Sequence, residues 1–107
     1  MKINVHMLAF KDKGTIRKVE IADSFKGGNL MELLNQVFKM GQNDFQEQDL
    51  PSVSVGDVIE YDNNREFKYF MVAPFGFTPI TQDEFDSMTG HQGIEAYFKF
   101  HNIGRKI

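Results

Sequence analysis

One stretch of helical periodicity lies between segments that alternate with period two, and this contrast restricts the chain to an α+β fold. Five apolar side chains recur at the spacing of one helix face: Leu30, Leu33, Leu34, Val37 and Phe38. Asn29 is a suitable N-cap, and Glu32 follows it at capping-box spacing. Gly27-Gly28 precedes the segment and Gly41 follows it. We therefore predict a helix over residues 30–40.

The N-terminal residues alternate on both sides of a polar turn. Residues 2–9 and residues 15–22 each place every second side chain on one face, as strands do. Lys11-Asp12-Lys13-Gly14 between them has the composition of a turn. The pattern predicts a β-hairpin whose loop has about 3–5 residues.

A second pair of strands follows the helix. Residues 53–61 predict a strand that is interrupted at Gly56, where a bulge would fit. Asp57 is then placed to accept backbone N–H bonds across that break. Residues 67–73 are apolar on both faces, which predicts a central return strand packed on two sides.

The segment after this strand carries weaker signals. Pro74 ends the strand, and Phe75-Gly76-Phe77 is predicted to turn away from the sheet. Thr81 is suited to cap a short helix over residues 82–88. Residues 93–103 fit either a strand or a helix, and we favour a strand because alternation is complete there.

Length and composition exclude several classes of protein. The 107 residues fit a single domain over residues 1–107. The absence of cysteine excludes a disulfide scaffold, a thiol nucleophile and Cys-ligated zinc. No apolar run approaches the roughly 18 residues of a membrane span, and the N-terminus lacks the apolar core of a signal peptide. We expect a cytoplasmic α+β domain, with an antiparallel sheet of two hairpins and a C-terminal strand, packed by one amphipathic helix and a second short helix.

Acidic residues are concentrated in one region of the chain. Residues 40–64 contain six carboxylates and neither Lys nor Arg, whereas residues 1–26 are net basic. The simpler interpretation is a solvated loop and strand face; the alternative is an anionic surface that faces a partner. Nearby aromatic residues are either core residues or binding anchors. The predicted partner-binding set is Asp44, Glu47, Asp49, Asp57, Glu60, Asp62, Tyr61, Phe75 and Phe77.

Catalytic and metal-binding patterns are weak. The sequence has no calcium loop, HExxH pair, phosphate-binding glycine loop or Gly-x-Ser-x-Gly elbow, so we expect no metal and no cofactor. His6 lies in the polar-facing register of the first strand, where a structural or exposed role is more common than a catalytic one. His91 lies in a Gly-containing loop, and with a carboxylate such as Asp86 it is the best candidate for acid–base chemistry.

The central motif has a resemblance of its own. Leu50-Pro51-Ser52-Val53-Ser54-Val55-Gly56-Asp57-Val58-Ile59, followed by Tyr69-Phe70-Met71-Val72 and Gly76-Phe77, resembles the YodL-like module of phages, plasmids and integrative elements. The similarity covers residues 50–80. It implies an origin in a mobile genetic element and a small β-rich accessory domain in a bacterial host, and it implies no reaction or catalytic residue.

Three functional hypotheses follow. The first is a non-catalytic accessory protein that binds a protein partner, for example to inhibit a host defence system. The second is a small enzyme that uses His91 and a nearby carboxylate. The third is a homo-oligomeric structural module joined through sheet edges. Nucleic acid is disfavoured as a partner, because the formal net charge is −3 and the aromatic residues are interleaved with acids.

Overall fold

The computed structural model describes residues 1–88 of the chain. The predicted C-terminal element at residues 93–103, together with His91, lies outside the described residues. The five strands are β1 (Lys2–His6), β2 (Ile16–Glu20), β3 (Val58–Glu60), β4 (Tyr69–Val72) and β5 (Phe77–Ile80). The two helices are α1 (Leu30–Met40) and α2 (Gln82–Ser87), and one turn of 3-10 helix spans Asp23–Phe25. The strands form one antiparallel sheet in the order β2-β1-β3-β4-β5. The α+β prediction is confirmed.

Both helices begin at the predicted caps. Asn29 Oδ1 accepts a hydrogen bond from Glu32 N at 3.2 Å and starts α1. At α2, Thr81 Oγ1 accepts from Glu84 N at 3.1 Å while Glu84 Oε1 accepts from Thr81 N at 2.8 Å, which completes a capping box. These bonds satisfy N–H groups that have no partner inside a helix.

The first hairpin differs from the prediction in the length of its connection. Residues 7–15 join β1 to β2, so the expected loop of about 3–5 residues was too short. One ladder bond continues beyond the strands, from Met7 N to Thr15 O at 2.8 Å. The chain then turns away because Ala9 N donates instead to the Asp57 carboxylate at 2.9 Å.

The second half of the sheet contains two further corrections. The predicted strand over residues 53–61 is strand only at β3, because a turn precedes it: Asp57 N donates to Ser54 O and Gly56 has φ +98°. Residues 75–77 were predicted to turn away, yet Phe77–Ile80 returns along β4 as β5. Pro79 made this strand difficult to predict from the sequence, because proline is uncommon inside strands. A proline is tolerated there because β5 has only one neighbouring strand among the described residues.

Apolar side chains cover both faces of the sheet. On one face, α1 packs Leu33, Leu34 and Val37 against the strands. On the other face, α2 contributes Phe85 to a second cluster. That second cluster contains Leu8, Val58, Tyr69, Met71, Ile80, Phe85 and Met88. Strand β4 is buried along its whole length between the two clusters, as its sequence predicted.

The end of α1 gives a test of this packing. We expect Gly41→Ala to lower the free energy of unfolding by about 1–3 kcal/mol, because the added methyl group would clash with Val53 Cγ2 and lie 2.9 Å from Val37 O. Gly28→Ala is the matched control, since its methyl group would meet Phe25 O at 3.5 Å. Urea denaturation of both variants measures the difference, and equal stabilities would contradict the packing described for Gly41.

Candidate protein-binding surface

The structure separates the acidic residues into different environments. Asp44, Glu47 and Asp49 are exposed on the connection between α1 and β3. We name residues 42–51 the acidic loop. Asp62 is exposed in the turn between β3 and β4, and Glu60 is half-buried. The single acidic surface predicted from the sequence is therefore reduced to its first three members plus a separate carboxylate at a turn.

A buried arginine holds the acidic loop. The side chain of Arg17 on β2 has no exposed surface, and no carboxylate among residues 1–88 pairs with it. Its Nη1 donates to Asn43 Oδ1 at 2.8 Å and to Pro51 O at 3.1 Å, and its Nη2 donates to Gln46 O. Desolvation lowers the pKa of Arg17, because burial disfavours the charged form. The loop carbonyl groups thus take the place of a counter-ion.

Asn43 closes the acidic loop on itself. Its Nδ2 donates to Leu50 O at 2.9 Å, and its backbone N donates to Ser52 Oγ at 2.9 Å. Its Oδ1 accepts both from Arg17 and from Gln48 N, the latter at 3.2 Å. These bonds connect the two ends of the loop and fix its shape.

Two glutamines attach the loop to the edge of the sheet. Gln46 Oε1 accepts from Glu20 N at 2.9 Å, and Gln46 Nε2 donates to Glu20 O at 2.6 Å. Gln48 Nε2 donates to Lys18 O at 2.8 Å. These side-chain amides form hydrogen bonds with backbone groups of β2 that an added strand would need for pairing. This part of the β2 edge is therefore not free for the sheet-edge oligomer of the third hypothesis.

The acidic loop also exposes an aromatic ring that the prediction did not include. Phe45 is 55% exposed and lies in the sequence between Asp44 and Glu47. Lys39 Nζ lies 5.5 Å from the centroid of the Phe45 ring. A lone phenylalanine in an otherwise polar loop was the signal in the sequence. The loop therefore combines an exposed ring with three carboxylates on a fixed backbone.

Asp57 is an internal residue, so its prediction as part of an exposed surface is wrong. The side chain has no exposed surface, and it accepts from Ala9 N at 2.9 Å and from Ser54 N at 2.8 Å. Its role as an acceptor of backbone N–H bonds was predicted and is confirmed. Desolvation raises the pKa of Asp57 to about 6, although both hydrogen bonds act in the opposite direction.

The three predicted aromatic anchors lie in three environments. Phe77 is buried in the core under α1, so it is not available to a partner as predicted. Tyr61 is half-buried and lines, with Asp62 and Arg65, a cavity of about 260 Å³ beside the start of α1. Phe75 is 87% exposed. The structure does not bring these rings together into one platform.

The histidine that the structure describes is packed in the second apolar cluster. His6 Nε2 lies 2.7 Å from Glu60 Oε1, and the ring contacts Phe85 edge-on with centroids 4.8 Å apart. His6 is buried, and its Nδ1 has no hydrogen-bond partner. These contacts are those of a core histidine with one carboxylate partner.

The hypothesis of a small enzyme that uses His91 and a nearby carboxylate depends on a residue outside residues 1–88. Asp86 is exposed on α2, where its Oδ1 accepts from Gln82 Nε2 at 2.9 Å, and His91 lies outside the described residues. The pairing of these two residues stays a prediction. Within residues 1–88, no group of three or more His, Cys, Asp or Glu side chains could hold a metal ion. No helix in the same range is long and apolar enough to cross a lipid bilayer.

No protein-family model, curated protein or solved structure matches the chain. The resemblance of residues 50–80 to the YodL-like module stays a prediction. The geometry of the acidic loop and its surroundings is therefore the evidence for function.

The arginine anchor can be tested by removing its hydrogen bonds while keeping its apolar bulk. We expect Arg17→Met to lower the free energy of unfolding by about 2–4 kcal/mol, because several half-buried loop carbonyl groups lose their donors. Hydrogen exchange should accelerate first in residues 43–51. Lys18→Met, at an exposed position of the same strand, is the control. Unchanged exchange in the loop of Arg17→Met would contradict the anchoring role.

The raised pKa of Asp57 predicts that the folded chain becomes less stable as the pH rises. Its pKa is about 6 in the folded chain against an ordinary 3.8, so the folded state binds the proton more tightly than the unfolded state. The proton on Asp57 therefore stabilises the folded chain. This contribution to the free energy of unfolding is complete below about pH 4, is lost as the pH rises through 6, and amounts to at most roughly 3 kcal/mol.

Asp57→Asn isolates this effect because it removes the titrating group. Urea denaturation of both proteins between pH 4 and 7 should show the stability of the wild type, relative to the variant, falling as pH rises. A difference that is constant with pH would refute the assignment.

Proposed function

We propose that this chain is a non-catalytic module that binds a protein partner through the acidic loop. The observation that carries the proposal is the exposed Phe45 ring on a loop with the exposed carboxylates of Asp44, Glu47 and Asp49. Aromatic anchors supply much of the energy at protein interfaces, and surrounding charges guide the encounter. The partner that fits has a basic surface with an apolar depression.

The fixed backbone of the acidic loop supports the same proposal. Arg17, Asn43, Gln46 and Gln48 hold the loop through hydrogen bonds that do not involve its three exposed carboxylates. A loop that is ordered before binding loses less conformational entropy when the partner docks. These internal contacts therefore favour an interface over a merely solvated connection.

The biological setting is a finer part of the proposal, and the resemblance of residues 50–80 supports it. We place the module among the accessory proteins of phages or plasmids that act in the cytoplasm of a bacterial host. Its partner would then be a host protein, and inhibition of a defence protein is the first case to test.

The acidic loop is tested by a comparison of two charge-reversed proteins. One carries Asp44→Lys, Glu47→Lys and Asp49→Lys, and the control carries Glu32→Lys, Glu66→Lys and Asp83→Lys at other exposed positions. Both changes alter the net charge equally. Proteins captured from a lysate of the bacterial host by the wild type should be retained by the control and lost with the loop variant, as quantitative mass spectrometry would measure.

Kinetics with the purified captured protein separate the charges from the ring. The loop variant should slow association at least tenfold at low salt and flatten its salt dependence, because the carboxylates steer the encounter. Phe45→Ala should instead accelerate dissociation by about tenfold or more, because it removes a desolvated anchor. Capture of the same proteins by the wild type and the loop variant, with equal rates, would exclude this loop as the interface.

A further inference from the structure

A second exposed aromatic residue lies at the turn between β4 and β5. Ala73 N donates to Gly76 O at 3.0 Å, and Gly76 has φ +75°, which closes the turn tightly. Phe75 lies at the tip of the turn and is 87% exposed, more than the other exposed large apolar residues of residues 1–88. Burying a phenylalanine side chain stabilises a protein, so this exposure gives up a large favourable contribution.

An apolar groove adjoins this turn. Its volume is about 190 Å³, and it lies between α1 and the turn, with Phe38, Val55, Val72 and Pro74 among its lining residues. An apolar cavity of about 150 Å³ is large enough to hold benzene. The groove therefore has room for a phenyl ring, and the exposure of Phe75 means that its own ring does not fill it.

The charge of the groove lining bears on what could cover it. None of the lining residues within residues 1–88 is ionisable. The chain has a net charge of −3, and the acidic loop would repel the same loop of a second copy. At this lining, by contrast, a second copy would meet no like charge.

The layout of the patch matches the symmetry of a dimer. Pro74 and Gly76, the neighbours of Phe75 in the chain, both line the groove, so ring and groove lie side by side. A twofold interface requires each subunit to present both complementary features on one surface. We propose that two copies of this chain associate through this patch, with the Phe75 ring of each copy in the groove of the other.

The first test measures the mass of the full chain in solution. Sedimentation equilibrium over about a hundredfold range of concentration should show the mass rising from one chain toward two. Phe75→Ala should raise the dissociation constant of the dimer at least tenfold, because it removes the central anchor. Phe10→Ala is the matched control, since Phe10 is 68% exposed in the connection between β1 and β2. A wild type that is monomeric throughout, or an equal effect of both variants, would overturn the proposal.

The second test identifies the groove as the receptor of the ring. Val55→Glu introduces a charge into the groove and should weaken self-association at least tenfold. A mixture of Phe75→Ala and Val55→Glu chains should associate more tightly than either variant alone, because one ring then meets one intact groove. Absence of this rescue would refute reciprocal insertion. Thermal unfolding checks the fold of both variants, and if Val55→Glu does not fold, the exposed position of Phe75 keeps the first test decisive.

Discussion

The arrangement of the described chain depends on the buried guanidinium group of Arg17. Placing a cation in the interior is unfavourable unless its N–H groups find acceptors. No carboxylate within residues 1–88 supplies them, so Gln46 O, Pro51 O and Asn43 Oδ1 accept from its Nη groups, while its Nε has no hydrogen-bond partner in the same range. The connection between α1 and β3 must therefore cross the outer strand of the sheet in one conformation. The same bonds that solvate the cation give the acidic loop its shape.

Asp57 is a buried acidic residue, and it too is held mainly by backbone groups. Its carboxylate is buried, has no cationic partner in the part of the chain that the structure describes, and is held by the backbone N–H groups of Ala9 and Ser54. It thereby joins the end of β1 to the turn that precedes β3. Arg17 and Asp57 each substitute backbone dipoles for a counter-ion, and each fixes a segment that has no regular secondary structure. The bonds that hold the acidic loop do not involve the exposed carboxylates of Asp44, Glu47 and Asp49.

The sequence predicted what local periodicity controls. Helix α1, its cap at Asn29 and the cap of α2 at Thr81 depend on residues within a few positions of one another, and all were found. Strand β5 was missed because Phe77 and Pro79 resemble a turn when their pairing partner on β4 is not known. The burial of Arg17 and Asp57 was equally inaccessible, because a charged residue in an alternating segment is expected to face solvent. Their environments arise from contacts between residues 26 to 48 positions apart in the chain.

The two exposed rings differ in the charge that surrounds them, and this difference separates the partners that we propose for them. Phe45 belongs to a loop with three carboxylates, which would repel the same loop of a second copy and attract a basic protein surface. Phe75 adjoins a groove whose lining within residues 1–88 has no ionisable residue, so a second copy would meet no like charge on that lining and a basic partner would find no counter-charge. Discrimination requires an unfavourable term against the wrong partner as well as a favourable term for the right one. Under the two proposals, the carboxylates of the acidic loop would supply that unfavourable term, and the proposed self-association and the proposed partner binding would use different surfaces.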